Sequence, residues 1–150
     1  MIQINEVKTK KQLKHFVEFP IKLYKNCPYY VPPIAIDEIS LFTKTKNPAY
    51  EFCETRLFLA YKEKKIVGRI AGLINHAYIK KVNKPLIRFT RYDVIDDLEV
   101  SRALFNEVIK WAQERNLEYI MGPIGFTDID KQGMLVEGFE ELNMTITPYN

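Results

Sequence analysis

The stretch TRLFLAYKEKKIVGRIAGLI, residues 55–74, decides the fold class. Residues 55–61 are a β-rich segment, Lys62-Glu63-Lys64-Lys65 reads as a hairpin turn, and residues 66–74 return as a second strand. That returning run is apolar on both of its faces, the pattern of a central strand covered from above and below. Gly68 and Gly72 interrupt it without side-chain bulk, which predicts a bulge or a close approach by another group. Arg69 stands between small residues on the same strand. A buried guanidinium must meet an anion or several carbonyls. Its partner is therefore an internal carboxylate, or the carboxylate or phosphate of a ligand.

Outward from this pair the pattern alternates between strands and helices. Upstream, residues 2–8 form a short strand, and Thr9 with Gln12 makes a capping box that opens a helix on Leu13, Phe16 and Val17. Pro20 is expected to kink or interrupt that helix. The rigid connector NCPYYVPP (26–33) leads into a helix over about 34–43. This second helix exposes Asp37 and Glu38 and offers Ile36, Ile39, Leu41 and Phe42 for contacts. Downstream, residues 86–92 form a strand and 97–115 a long helix, with Asp96 and Glu99 as its cap and an apolar stripe from Val100 to Ala112. Asn116 is its left-handed terminator, and residues 118–122 form a last strand. The class is α+β: a mixed, mostly antiparallel central sheet with helices on both faces.

The 150 residues suit one domain, 1–150. With 47% hydrophobic and 27% charged residues, disordered and low-complexity classes are excluded. No apolar run is long enough to span a membrane, and the N-terminus lacks the apolar core of a signal peptide. Cys27 and Cys53 form no metal-ligand spacing and read as free thiols in a reducing cytoplasm; with only His15 and His76, no metal site is expected. The net charge of +3 conceals a divided chain. Residues 1–92 carry 18 basic against 7 acidic side chains, and residues 93–150 carry 4 against 12. Either the two halves neutralise each other on packing, or the basic half offers a surface to an anionic ligand. The aromatics of the basic half keep core-like spacings, which argues against nucleic acid as a partner.

The stretches FPIKLYKNCPYYVPP (19–33), KNPAYEFCETRLFLAYKEKKIVGRIAGLIN (46–75), DDLEVSRALFNEVIKWAQ (96–113) and GPIGFTDIDKQGMLVEGF (122–139) resemble the GNAT acetyltransferases, and in particular uncharacterised bacterial GNAT-like proteins. The resemblance covers nearly the whole chain. Members of that group continue well beyond this length, so the chain looks like the N-terminal portion of one, with the last strands of the sheet missing. The resemblance implies an acyl-CoA-dependent N-acyltransferase moving an acetyl group to an amine. The alternative is a non-catalytic GNAT-like module that binds a ligand or a protein. It also implies acetyl-CoA in a wedge between the fourth and fifth strands. The diphosphate would rest on backbone N–H groups of Val94, Ile95, Asp96, Asp97 and Leu98, where the long helix begins.

At that turn the chain departs from the family. The usual Gln/Arg-x-x-Gly-x-Gly/Ala loop is absent, because no glycine occurs in residues 73–121. Four carboxylates (Asp93, Asp96, Asp97, Glu99) stand there instead. The resemblance further implies Asp93 or Glu118 as the base that accepts the proton of the incoming amine, and Tyr149 as the acid for the leaving thiolate. Tyr29 and Tyr30 would line a substrate slot, with Arg69 and the loop opened by Gly122 as further substrate contacts. An uncovered strand edge at the end of the sheet would suit a homodimer.

Overall fold

The computed structural model describes residues 1–142. Ten elements follow in order: strand β1 (Ile2–Glu6), helix α1 (Lys10–Leu23), helix α2 (Ala35–Leu41), a 3-10 turn (Pro48–Glu51), strands β2 (Cys53–Lys62) and β3 (Lys65–Asn75), helix α3 (His76–Val82), strand β4 (Leu86–Val94), helix α4 (Leu98–Glu114) and strand β5 (Tyr119–Met121). The sheet runs β1-β2-β3-β4-β5. Its first three pairings are antiparallel and the β4–β5 pairing is parallel. The β2–β3 hairpin closes on Glu63 and Lys64, both left-handed (φ 51° and 64°), as a two-residue turn matched to strand twist requires.

β3 lies at the centre of the sheet and is buried along nearly its whole length, as its unbroken apolar run predicts. On one face α4 supplies Val100, Leu104, Val108, Trp111 and Ala112 to a core shared with Phe58, Ile70, Ile74 and Ile87. The two glycines of β3 allow this approach. A Cβ on Gly68 would lie 2.8 Å from Leu104 Cδ1, and one on Gly72 would lie 3.0 Å from Trp111 Cε3. On the other face Phe16 and Val17 of α1 and Phe42 after α2 pack on Leu57, Leu59, Ala71 and Leu73. The two charge classes meet across the sheet. Arg56–Glu114, Lys62–Asp97, Arg69–Asp93 and Arg91–Asp130 each join the basic part of the chain to the acidic part.

Several expectations are corrected. α1 forms on the predicted capping box, with Thr9 Oγ1 accepting from Gln12 N and Gln12 Oε1 from Thr9 N, but it continues through Pro20 instead of breaking there. Proline cannot donate to the Phe16 carbonyl four residues back, and Arg69 Nη1 donates to that carbonyl at 2.8 Å. Glu38 is buried rather than exposed, while Ile36 faces solvent, because Arg91 draws Glu38 inward. The N-cap of α4 is Asp97, not Asp96, since Asp97 immediately precedes the first helical residue, Leu98. β3 passes to β4 through α3, an element too short and too polar to show a periodic signal. The left-handed Asn116 ends α4 as expected (φ 53°). The strand-like segment 144–147 and Tyr149 lie outside the described residues.

β5 pairs with β4 only over Leu86–Arg88, then departs at Gly122. A Cβ at Gly122 would stand 2.5 Å from the Phe89 carbonyl oxygen. Gly122→Ala is therefore expected to destabilise the fold by about 2 kcal/mol, through backbone displacement where β5 leaves the sheet. Urea unfolding of the variant beside the unmodified chain measures this.

Candidate functional site

β4 carries one residue too many for its partner. The register runs Gly72↔Phe89, Ala71↔Thr90, then Arg69↔Asp93, so two steps on β3 match three on β4. Arg91 occupies the bulge in a left-handed conformation (φ 51°). Before it, Ile87 and Phe89 face the α4 core; after it, Tyr92 and Val94 do. The bulge thus reverses the alternation, and Asp93 points to the α1 side, where Arg69 waits.

Two buried arginines organise that side. Arg69 Nε donates to Asp93 Oδ2 at 2.7 Å, and its guanidinium lies 4.9 Å from the Phe16 ring centre. Arg91 Nε and Nη2 each donate to a different oxygen of Glu38 at 2.9 Å, and Nη2 reaches Asp130 Oδ1 at 2.8 Å. Asp130 in turn accepts from the backbone N–H groups of Phe126 and Lys131. The Arg91 cluster therefore ties α2, β4 and the segment after β5 together. Arg88, further down β4, holds the same segment through the carbonyls of Gly125 and Phe126.

Beside the far half of β4, where β5 has left, a cavity of about 340 Å³ opens. Asp93 and Arg69 line it with Tyr24, Tyr29, Tyr30 and Lys131. Burial, then the neighbouring Asp93 carboxylate, pushes the Tyr30 hydroxyl up to about 12, and the same causes push Tyr24 further up. Both are neutral donors at physiological pH. Burial holds the Lys131 ammonium below its ordinary range; Glu38 opposes this, and the charges of Arg91 and Arg69 add to it.

The sequence candidates thus divide. Asp93, Tyr29, Tyr30 and Arg69 come together at the cavity. Asp93 is buried and paired rather than solvated at a strand end. Glu118 is exposed, at the start of β5, and does not line the cavity. Gly122 marks the point where the strands part. Val94 ends β4; beyond it Ile95 N donates to Val67 O and Asp97 N to Ile95 O. At the mouth of α4 the Asp97 carboxylate accepts from Glu99 N at 3.0 Å and Val100 N at 3.3 Å, and also from Lys62 Nζ at 2.9 Å. The Lys62 bond holds the Asp97 carboxyl below its usual range. That arrangement caps the helix and occupies the N–H groups of Glu99 and Val100. Sequence reasoning missed Arg91, Glu38, Asp130 and Lys131. The signal available for Arg91 was the one used for Arg69: a cation embedded in an apolar strand, LIRFTRY (86–92).

This arrangement of strands and helices superposes on solved structures. A tandem GNAT protein from the clavulanic acid biosynthesis pathway superposes with a TM-score of 0.59 at 13% identity, over 78% of this chain and 34% of that one. A predicted acetyltransferase from Clostridium acetobutylicum, solved with acetyl-CoA, superposes at 0.55 with 14% identity, over 81% and 79%. The fold is that of the GNAT acetyltransferases. By sequence, the chain is 31% identical over 140 residues to Protein YghO of Escherichia coli K12, covering 93% of this chain and 36% of the relative. It is 27% identical over 146 residues to a protein of Caulobacter vibrioides named bacterial ceramide synthase, covering 97% and 38%. The chain therefore spans little more than a third of the length of these two relatives. No protein-family profile matches it. Among the described residues, no helix is long and apolar enough to cross a membrane, and no group of three His, Cys, Asp or Glu is placed to hold a metal.

Two outcomes test the Arg91 cluster. Arg91→Met leaves Glu38 and Asp130 without their cation and is expected to cost about 3–5 kcal/mol of stability in chemical unfolding. Burial raises the Glu38 carboxyl, but the Arg91 bonds and charge prevail and lower it below its unfolded value. A depressed carboxyl stabilises the fold above its unfolded pKa, about 4.3, and that contribution is lost as pH falls from there through the folded value. The melting temperature should therefore drop as pH falls below about 4.3. The drop should be smaller in Glu38→Gln, which starts from a lower stability.

Proposed function

We propose that the chain is the acyl-CoA-binding portion of an N-acyltransferase that acts on an amine. The observation that carries this reading is the parting of β4 from β5 beside a cavity that gathers Asp93, Tyr30 and Arg69. In the reaction, the amine nitrogen attacks the thioester carbonyl, a C–N bond forms and the C–S bond breaks. The amine loses a proton and the departing thiolate gains one. Of the two carboxylate candidates only Asp93 reaches the cavity, so Asp93 is the group to hold the acceptor's ammonium and accept its proton. Arg69 fixes the orientation of Asp93. Tyr30, protonated at working pH, faces the same space and is the donor to the thiolate in place of Tyr149. The diphosphate is not assigned to the mouth of α4, whose donors serve Asp97.

A second reading is favoured by that same mouth: a non-catalytic GNAT-like module that binds a ligand or a protein. Among the described residues the sheet ends at β5, whose outer edge would accept a further strand, for example from a second copy. Thermal melting with acetyl-CoA separates the readings. A ligand at about 100 times its dissociation constant adds about 2.7 kcal/mol, roughly 5–10 °C for a chain of this size. No shift at millimolar acetyl-CoA, nor with longer acyl-CoAs, overturns the first reading in favour of the second. If the first holds, Asp93→Asn should lower kcat at least about a hundredfold against a model amine, with acyl-CoA binding retained.

A further inference from the structure

The walls of the cavity do not suit the small acetyl group. Its volume of about 340 Å³ has room for roughly ten groups the size of a water molecule or a methylene, at about 30 Å³ each. Val31, Val94, Met134, Leu135 and Phe139 line it, and an acetyl group would leave most of that apolar surface wet. Four of these remain exposed in the folded chain: Val31 at 62%, Met134 at 47%, Leu135 at 38% and Phe139 at 61%. The apolar lining thus continues outward as an apolar rim, the form taken by a site whose occupant covers it.

The polar groups sit in a different condition. Arg69 is neutralised by Asp93, and Arg91 by Glu38 and Asp130. Lys131 lines the same space, and among the described residues no carboxylate lies within 4.0 Å of its ammonium. Glu38 and Asp93 act on its charge only from beyond ion-pair distance. A half-buried cation with no directly paired carboxylate, at the edge of an apolar cavity, suits an oxygen-rich group at one end of an apolar molecule.

We propose that this cavity receives a fatty acyl chain of roughly eight to ten carbons, with its carbonyl or carboxylate end held by Lys131. The inference rests on the acyl-CoA reading for the source of the chain, while the chain site itself stands on the cavity. Met134, Leu135 and Phe139 form the outer wall, and Tyr24 and Tyr30 beside Asp93 form the inner end, where the acyl carbon would meet an acceptor.

The test is calorimetric titration of the whole chain with coenzyme A, acetyl-CoA, decanoyl-CoA and decanoate. Each methylene buried is worth about 0.8 kcal/mol, or roughly fourfold in affinity, so even three methylenes buried beyond the acetyl group should make decanoyl-CoA bind about 60-fold more tightly than acetyl-CoA. Leu135→Asp and Phe139→Asp should each abolish most of that preference. Both side chains are exposed, so these variants should melt at the temperature of the unmodified chain. Lys131→Met should weaken decanoate about tenfold. Equal affinity for the two thioesters overturns the chain site and leaves the acyl-CoA reading standing. Binding of decanoate without binding of any thioester supports the chain site and overturns the acyl-CoA reading. Binding of none of the four overturns both.

Discussion

A single extra residue in β4 governs the geometry of this molecule. With strict alternation, Asp93 would point into the apolar layer under α4, where a carboxylate has no partner. Arg91 absorbs the extra step in a left-handed conformation. Asp93 then turns to Arg69, and Arg91 itself reaches Glu38 and Asp130. Burying a guanidinium costs several kcal/mol, which excellent geometry and several hydrogen bonds can offset. Here each arginine has both, and the charged groups become fixtures around which α1, α2 and the segment after β5 are arranged.

The same constraint shapes α1. Pro20 leaves the Phe16 carbonyl without a helical donor, and Arg69 supplies one. The proline, the arginine and the aspartate therefore form one chain of dependence, from a helix interior through the central strand to the cavity wall. A second chain of dependence runs from α2 through Glu38, Arg91 and Asp130 to Lys131. The cavity lies between the two. Its apolar outer wall belongs to the segment after β5, and its polar inner end to β3, β4 and the connector that follows α1.

Much of this was legible in the residues. The hairpin at 62–65, the fully covered strand after it and the apolar stripe of α4 follow from periodicity and turn chemistry, because those signals span many residues. Gly68 and Gly72 correctly announced a close approach, which Leu104 and Trp111 make. The buried state of Asp93 was not legible, since a one-residue bulge leaves no pattern in a strand and reverses every side chain beyond it. Glu38 misled for the same reason: its partner lies 53 residues away across that bulge. Pro20 announced a break that did not occur, because the donor it lacks comes from another element. The carboxylates before α4 read correctly as helix-capping groups, one position displaced.

The central claim is that the space beside β4, past the bulge, is where this chain meets its ligand. Amide chemical shifts of the isotope-labelled chain, followed during titration with an acyl-CoA, test it most directly. The account predicts that the largest changes fall on residues 92–94 of β4, on the 29–31 connector and on the amide of Lys131. Changes confined to the first turn of α4, with the β4 amides unmoved, would contradict it.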